Sequence, residues 1–132
     1  LESFGPDLIV TQLGMDSHFM DPLTHMSLTV QGFRKIVTEF DLVPAKWLAL
    51  GGGGYDLQAV ARGWTSAYGV MSGQDFANDI PSTYSEIYDV STLSDEKEVS
   101  LNEEYQSTAR SFAENSISDI RNYIFPLHGL RP

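Results

Sequence analysis

A chain of 132 residues is long enough for one modest domain with its own core. No apolar run reaches the ~20 residues needed to cross a membrane, and the absence of cysteine excludes disulfide staples and cysteine-rich zinc sites. A net charge of −10 leaves no basic surface for phosphate contacts, which argues against nucleic acid as a partner.

The acidity is uneven. Residues 1–72 hold seven acids and four bases, whereas residues 73–132 hold eleven acids and four bases. An acidic face favours cationic partners such as lysine-rich peptides, although a solvated tail has the same composition. Residues 1–7 carry no basic n-region and no cleavage pattern, so no signal peptide is expected. The lack of cysteine fits the cytoplasm. The first residue is not methionine, which leads to the expectation that the chain is part of a longer gene product.

In chain order, the run Leu8, Ile9, Val10, halted by Gly14, predicts a strand buried on both faces. Residues 15–23 form a loop that carries Asp16, His18 and Asp21, with His25 just beyond. Ser27 to Thr29 offers a helix cap, and Val30, Phe33, Ile36, Val37 and Phe40 recur at helical spacing up to Asp41, ahead of Pro44. A second short buried strand, Lys46–Leu50, follows. Strand, helix and strand imply a right-handed crossover and parallel strands.

Four glycines, Gly51 to Gly54, separate that strand from Tyr55 and a helix expected over 57–71. A phosphate cradle does not fit. The last position of G-x-G-x-x-G falls on Asp56, and no Gly-Lys-Ser/Thr follows. Two readings remain for the loop alone: a tight turn with a packed tyrosine, or a ligand site at the carboxyl edge of a parallel sheet. Since parallel strands end on one edge, the loops bearing Asp16 and Tyr55 should open side by side. In the helix, Val60, Ala61, Trp64, Tyr68 and Met71 read as a packed stripe, and Arg62 as a partly buried cation paired with an acid. Residues 74–92 read as an extended polar connection and 94–100 as an acidic loop. A long helix then starts at Asn102, with Tyr105, Ala109, Phe112, Ile117 or Ile120, and Ile124 on its apolar face, and ends at Pro126 and Gly129.

The ordered segments 12–23, 27–29, 50–55 and 60–65 together resemble the C-terminal part of zinc-dependent histone deacetylase-like enzymes, nearest the bacterial acetoin utilization protein (AcuC) branch. The resemblance covers residues 6–73. It implies an α/β fold, the C-terminal portion of an arginase/deacetylase-type three-layer architecture with a parallel sheet. Residues 1–72 would belong to the deacetylase domain and residues 73–132 would form an acidic extension ending in a long helix.

The resemblance further implies hydrolysis of Nε-acetyl-lysine to lysine and acetate at one Zn2+. Asp16 matches the carboxylate zinc ligand, Tyr55 the hydroxyl donor to the oxyanion, Leu23 an apolar wall of the acetyl-lysine tunnel, and Gly53 and Gly54 its glycine lining. A carboxylate is an ordinary zinc ligand. A phenol keeps its proton near neutrality and can donate to developing negative charge. The remaining zinc ligands and the paired catalytic histidines belong upstream of the matched region, so this chain alone should be inactive. The resemblance gives His18 no metal role, and His25 and His128 read as ordinary polar residues. The branch points to acetylated metabolic enzymes, such as acetyl-CoA synthetase, as substrates. The isolated strands should seek an edge partner, so the chain alone is expected to self-associate or to be marginally stable. The competing readings are a noncatalytic binding or oligomerisation module of the same fold, and an acetylpolyamine-type amidohydrolase.

Overall fold

The computed structural model describes residues 1, 3–97 and 99–132. Glu98, part of the acidic loop expected at 94–100, lies outside the described residues, as does Glu2. Two compact units are distinguished: one spans Asp7–Val99, the other joins Leu1–Pro6 to Ser100–Pro132.

The first unit is built on two parallel strands, β1 (Leu8–Gln12) and β2 (Lys46–Leu50), with Leu8 opposite Lys46 and Gln12 opposite Leu50. The crossover between them is helix α1 (Val30–Asp41). The Thr29 side chain accepts the Gly32 N–H (3.1 Å) and so starts α1 where the cap signal placed it. Helix α2 (Leu57–Ser72) begins on Asp56, which accepts the Ala59 N–H at 2.7 Å, and stops at Gly73 in the left-handed region. An acid at position 56 therefore serves as a cap.

One sheet face packs on the core. Ile9 and Thr11 are buried, Trp47 and Ala49 half-buried, and the Trp47 indole donates to Thr11 Oγ1 at 2.9 Å. The other face is open: Leu8 is 52% exposed, and Val10, Leu48 and Leu50 are similar. The expectation that both strands are buried is thus corrected. An apolar strand residue is covered only where a second layer lies on its face, and among the described residues helices cover one face.

The core joins Leu13, Met15, Val30, Phe33, Val37, Ala59 and Ala67. Ile36, expected on this face of α1, is instead exposed. On α2 the inward stripe is small: Ala59, Arg62, Gly63, Ser66, Ala67 and Gly69. The stripe Trp64, Tyr68 and Met71, expected to be core, points outward. Small residues let α1 and α2 approach closely, and Gly63 admits the Met15 side chain. Tyr68 stacks on Phe76 instead, with centroids 6.3 Å apart.

Residues 73–99 belong to the same compact unit as the strands. They are not simply extended. Helix α3 (Ser82–Tyr88) interrupts them, closed by Asp89 in the left-handed conformation (φ 52°), and its Tyr84 and Tyr88 rings, one turn apart, pack as a tilted pair with centroids 4.5 Å apart. In the second unit, helix α4 (Glu103–Asp119) is capped by Asn102, which accepts the Glu104 N–H, and Glu103 and Glu104 complement its positive end. A π-helical turn, Ile120–Ile124, and a 3-10 turn, Phe125–His128, carry it to Gly129. The long C-terminal helix lies where its sequence signals placed it.

Candidate functional site

The loops leaving β1 and β2 run side by side past the sheet edge. Leu13 N–H donates to Leu50 O at 2.8 Å, and Met15 N–H to Gly53 O at 2.7 Å. This approach leaves no room for side chains. A Cβ on Gly14 would fall 2.9 Å from Gly53 N and 3.1 Å from Gly53 O, and one on Gly52 would fall 2.9 Å from Gly14 Cα. A Cβ on Gly53 would lie 2.7 Å from Asp16 Cγ, so the Asp16 carboxylate is seated against the bare backbone of the glycine loop. Gly54 has φ 137° and wedges between Met15 and Val60.

Two linked turns present the polar residues. His18 N–H closes onto Met15 O (3.0 Å) around Asp16, and Asp21 N–H closes onto His18 O (2.9 Å). The Thr24 hydroxyl donates to Asp16 O. The buried Asp21 carboxylate accepts three backbone N–H groups: Leu23 at 2.9 Å, Thr24 at 3.2 Å and Tyr55 at 2.9 Å. Burial opposes ionisation of Asp21, but these backbone donors outweigh it and hold its carboxyl below the usual range.

Asp16 and Gly53 are therefore in contact, while Leu23 and Tyr55 are tied together through Asp21. The Tyr55 ring is 57% exposed, and Leu23 is exposed on the neighbouring turn. His25 and His128 are exposed. His18 is buried, and both its ring nitrogens are engaged. Nδ1 accepts the Met20 N–H (3.2 Å), which leaves the proton on Nε2 to be donated to Asp95 Oδ2 (3.1 Å). It has no lone pair to offer a metal. Among the described residues no group of three or more His, Cys, Asp or Glu could hold an ion. The Asp16 carboxylate at the sheet edge is not part of any such group.

Arg62 finds its acid in Asp95: Nη1 lies 2.8 Å from Oδ1, and both side chains are buried. Asp95 also accepts the Val30 N–H at 2.7 Å. Burial alone would raise its pKa, but His18, Val30 and Arg62 together pull it down to about 2. A carboxyl depressed in the folded state stabilises above its unfolded value and ceases to do so as pH falls through the folded one. The compact unit should accordingly lose about 1–2 kcal/mol between pH 4 and pH 2, beyond the loss shown by Asp95→Asn, in urea melts followed by Trp fluorescence.

Two polar residues escaped the sequence reading as anchors. Asp21 had a usable signal, an Asp-Pro followed by a threonine at the third position, the pattern of a side chain that hydrogen-bonds its own turn. Asp95 had none, because its partners lie 33, 65 and 77 residues away. The Asp21 anchor is open to test. Asp21→Asn should speed amide exchange at Tyr55 about ten-fold while exchange in α1 stays unchanged; equal rates at Tyr55 would remove Asp21 as its anchor.

Residues 1–71 match the sequence pattern of the histone deacetylase domain. The chain belongs to the histone deacetylase family. Among relatives, acetoin utilization protein AcuC of Bacillus subtilis (strain 168) is 39% identical over 84 residues, 59% of this chain and 22% of that protein. Histone deacetylase 8 of Danio rerio is 38% identical over 78 residues, 59% of this chain and 21% of the relative. This histone deacetylase family chain thus matches about a fifth of the length of these relatives. The crystal structure of a histone deacetylase homolog from Aquifex aeolicus superposes with a TM-score of 0.63 at 24% identity, over 80% of this chain and 33% of that one. A histone deacetylase homolog complexed with SAHA gives a TM-score of 0.64 at the same identity. These likenesses establish the deacetylase-type α/β fold with its parallel sheet.

Proposed function

We propose that this chain is the C-terminal active-site portion of a zinc-dependent deacetylase that hydrolyses Nε-acetyl-lysine to lysine and acetate. The observation that carries the reading is the pair of crossed loops at one sheet edge. One seats the Asp16 carboxylate against Gly53, and the other presents Tyr55 on a backbone anchored by Asp21. In the complete enzyme Asp16 is one zinc ligand among others supplied from outside this segment. Zinc, when bound, polarises the amide carbonyl and lowers the pKa of a coordinated water. The chain's own residues do the rest of its share. Tyr55 donates its hydroxyl to the developing oxyanion, Gly53 and Gly54 leave room for a lysine stem, and Leu23 gives that stem an apolar wall.

The acidic balance suits lysine-rich segments around the modified side chain. Likeness to the acetoin utilization protein favours acetylated metabolic enzymes, such as acetyl-CoA synthetase, over histones, in a cytoplasmic setting. The half-exposed sheet face favours self-association of the isolated segment. A noncatalytic module of the same fold is the second reading, favoured by the incomplete donor set among the described residues. An acetyl-lysine peptide assay decides between them. The complete protein should release acetate, lose activity to a zinc chelator and regain it with zinc, while the 132-residue chain alone stays inactive. A complete protein that binds zinc yet releases no acetate from any acetyl-lysine peptide would leave the noncatalytic module.

A further inference from the structure

Asp95 lies beyond the stretch that matches the histone deacetylase pattern, yet it reaches back into the site. Its carboxylate is nearly dry and serves three elements at once: His18 Nε2–H and the Val30 N–H on Oδ2, and Arg62 Nη1 on Oδ1. Its backbone is clamped as well. Asp95 N–H donates to Gln31 Oε1 at 3.0 Å, and Gln31 Nε2 donates to Asp95 O at 3.2 Å. The segment around residue 95 is thereby fixed to α1 through the backbone and to α2 through Arg62.

The decisive partner is His18. Its backbone is the joint between the two turns of the ligand loop. The N–H of His18 closes the turn that carries Asp16, and its carbonyl accepts from Asp21, the anchor of Tyr55 and Leu23. Its Nδ1 also takes the Met20 N–H, so the imidazole braces the second turn from inside. The ring leans on Phe19, with centroids 4.5 Å apart. Whatever fixes the direction of this ring fixes where both turns point. Asp95 is the side chain that grips the ring's other nitrogen, and Val30 and Arg62 hold Asp95 in turn.

We propose that Asp95 is a positioning residue for the active site. Through His18 it sets the attitude of the Asp16 turn and of the Asp21 anchor beneath Tyr55. This rests on the deacetylase reading for its effect on rate, but the mechanical claim can be tested without it. A neutral amide at position 95 can keep only one strong acceptor, and its NH2 group must face the Val30 N–H and His18 Nε2–H, or else Arg62. The ligand loop should loosen while the helices stay folded.

The first measurement is residue-resolved hydrogen exchange on the 132-residue chain, comparing wild type, Asp95→Asn and Gln31→Ala. Gln31→Ala cuts the backbone clamp and leaves the imidazole bond in place. Asp95→Asn should speed exchange at His18, Met20 and Asp21 about ten-fold or more relative to amides within α2, and Gln31→Ala should not. Uniform acceleration across all elements, or no change at residues 18–21, would overturn the proposal. The second measurement uses the complete enzyme. Asp95→Asn should raise the zinc concentration needed for half-saturation by roughly 10–100-fold, as loss of a supporting contact around a metal ligand does, while Asp95→Glu recovers part of it. Zinc affinity unchanged in a folded Asp95→Asn enzyme would also overturn it. If the wild-type protein neither binds zinc nor releases acetate, the deacetylase reading fails by itself, and the exchange result still decides whether Asp95 holds the loop.

Discussion

Tyr55→Phe in the complete enzyme is expected to lower kcat about a hundred-fold or more with little change in KM. Removal of one preorganised oxyanion donor typically costs ~2.7–4 kcal/mol of transition-state stabilisation. The substitution deletes only the hydroxyl. Tyr55 is held through its backbone N–H on Asp21, and its ring is largely exposed, so the fold loses nothing by the change. Stability and zinc content should be those of wild type. That separation makes the result readable: an unchanged kcat would remove Tyr55 from the chemistry, whatever the merit of the rest of the site.

Gly14→Ala should be nearly as damaging by a different route. The added Cβ would meet Gly53 N at 2.9 Å, Gly53 O at 3.1 Å and Asp16 Oδ1 at 2.9 Å. Two of these atoms are backbone and cannot swing aside. The loops must separate, which breaks the Met15–Gly53 hydrogen bond and moves Asp16 off its seat. Overpacking of this kind costs about 1–3 kcal/mol of stability. A shift near 1 Å at the reacting groups costs roughly 10²-fold in rate. Urea melts and kcat/KM report the two effects separately. Full stability and full rate together would mean that the loops tolerate a methyl group and that Gly14 merely ends a strand.

Much of this arrangement is legible in the residues. The cap at Thr29, the crossover, the bounds of β2 and the long helix from Asn102 all follow from local signals that the structure obeys. The parallel pairing then brings the Asp16 and Tyr55 loops to one edge without any side-chain information. The failures share one cause, which is that hydrophobicity says a residue can be buried but not against what. Leu8, Val10 and Leu48 look like core and face outward, because the described residues cover only one side of the sheet. Trp64 and Tyr68 offer far more apolar surface to bury than Ala59 and Gly63. Yet the helices choose the small residues for their contact, because close approach gains more packing than bulk does. The run of four glycines was legible as a loop but not as a crossing, since nothing local names Gly14 as the backbone it must clear. Asp95 was the least legible of all. Within its own stretch it is one acid among several, and only the fold brings it to a histidine and an arginine.

The grip of Asp95 on Arg62 and His18 also sets how short a piece of this protein can be. A segment ending at residue 72 would retain both crossed loops, Asp16 and Tyr55, and every residue matched to the family pattern. It would also lose the carboxylate that Arg62, His18 and the Val30 N–H share, together with the residues that cover Arg62, at a cost of several kcal/mol in lost burial and hydrogen bonding. A two-stranded unit of that size has no such reserve. The smallest segment that folds around these loops should therefore extend to about residue 99, well past the stretch that matches the family pattern.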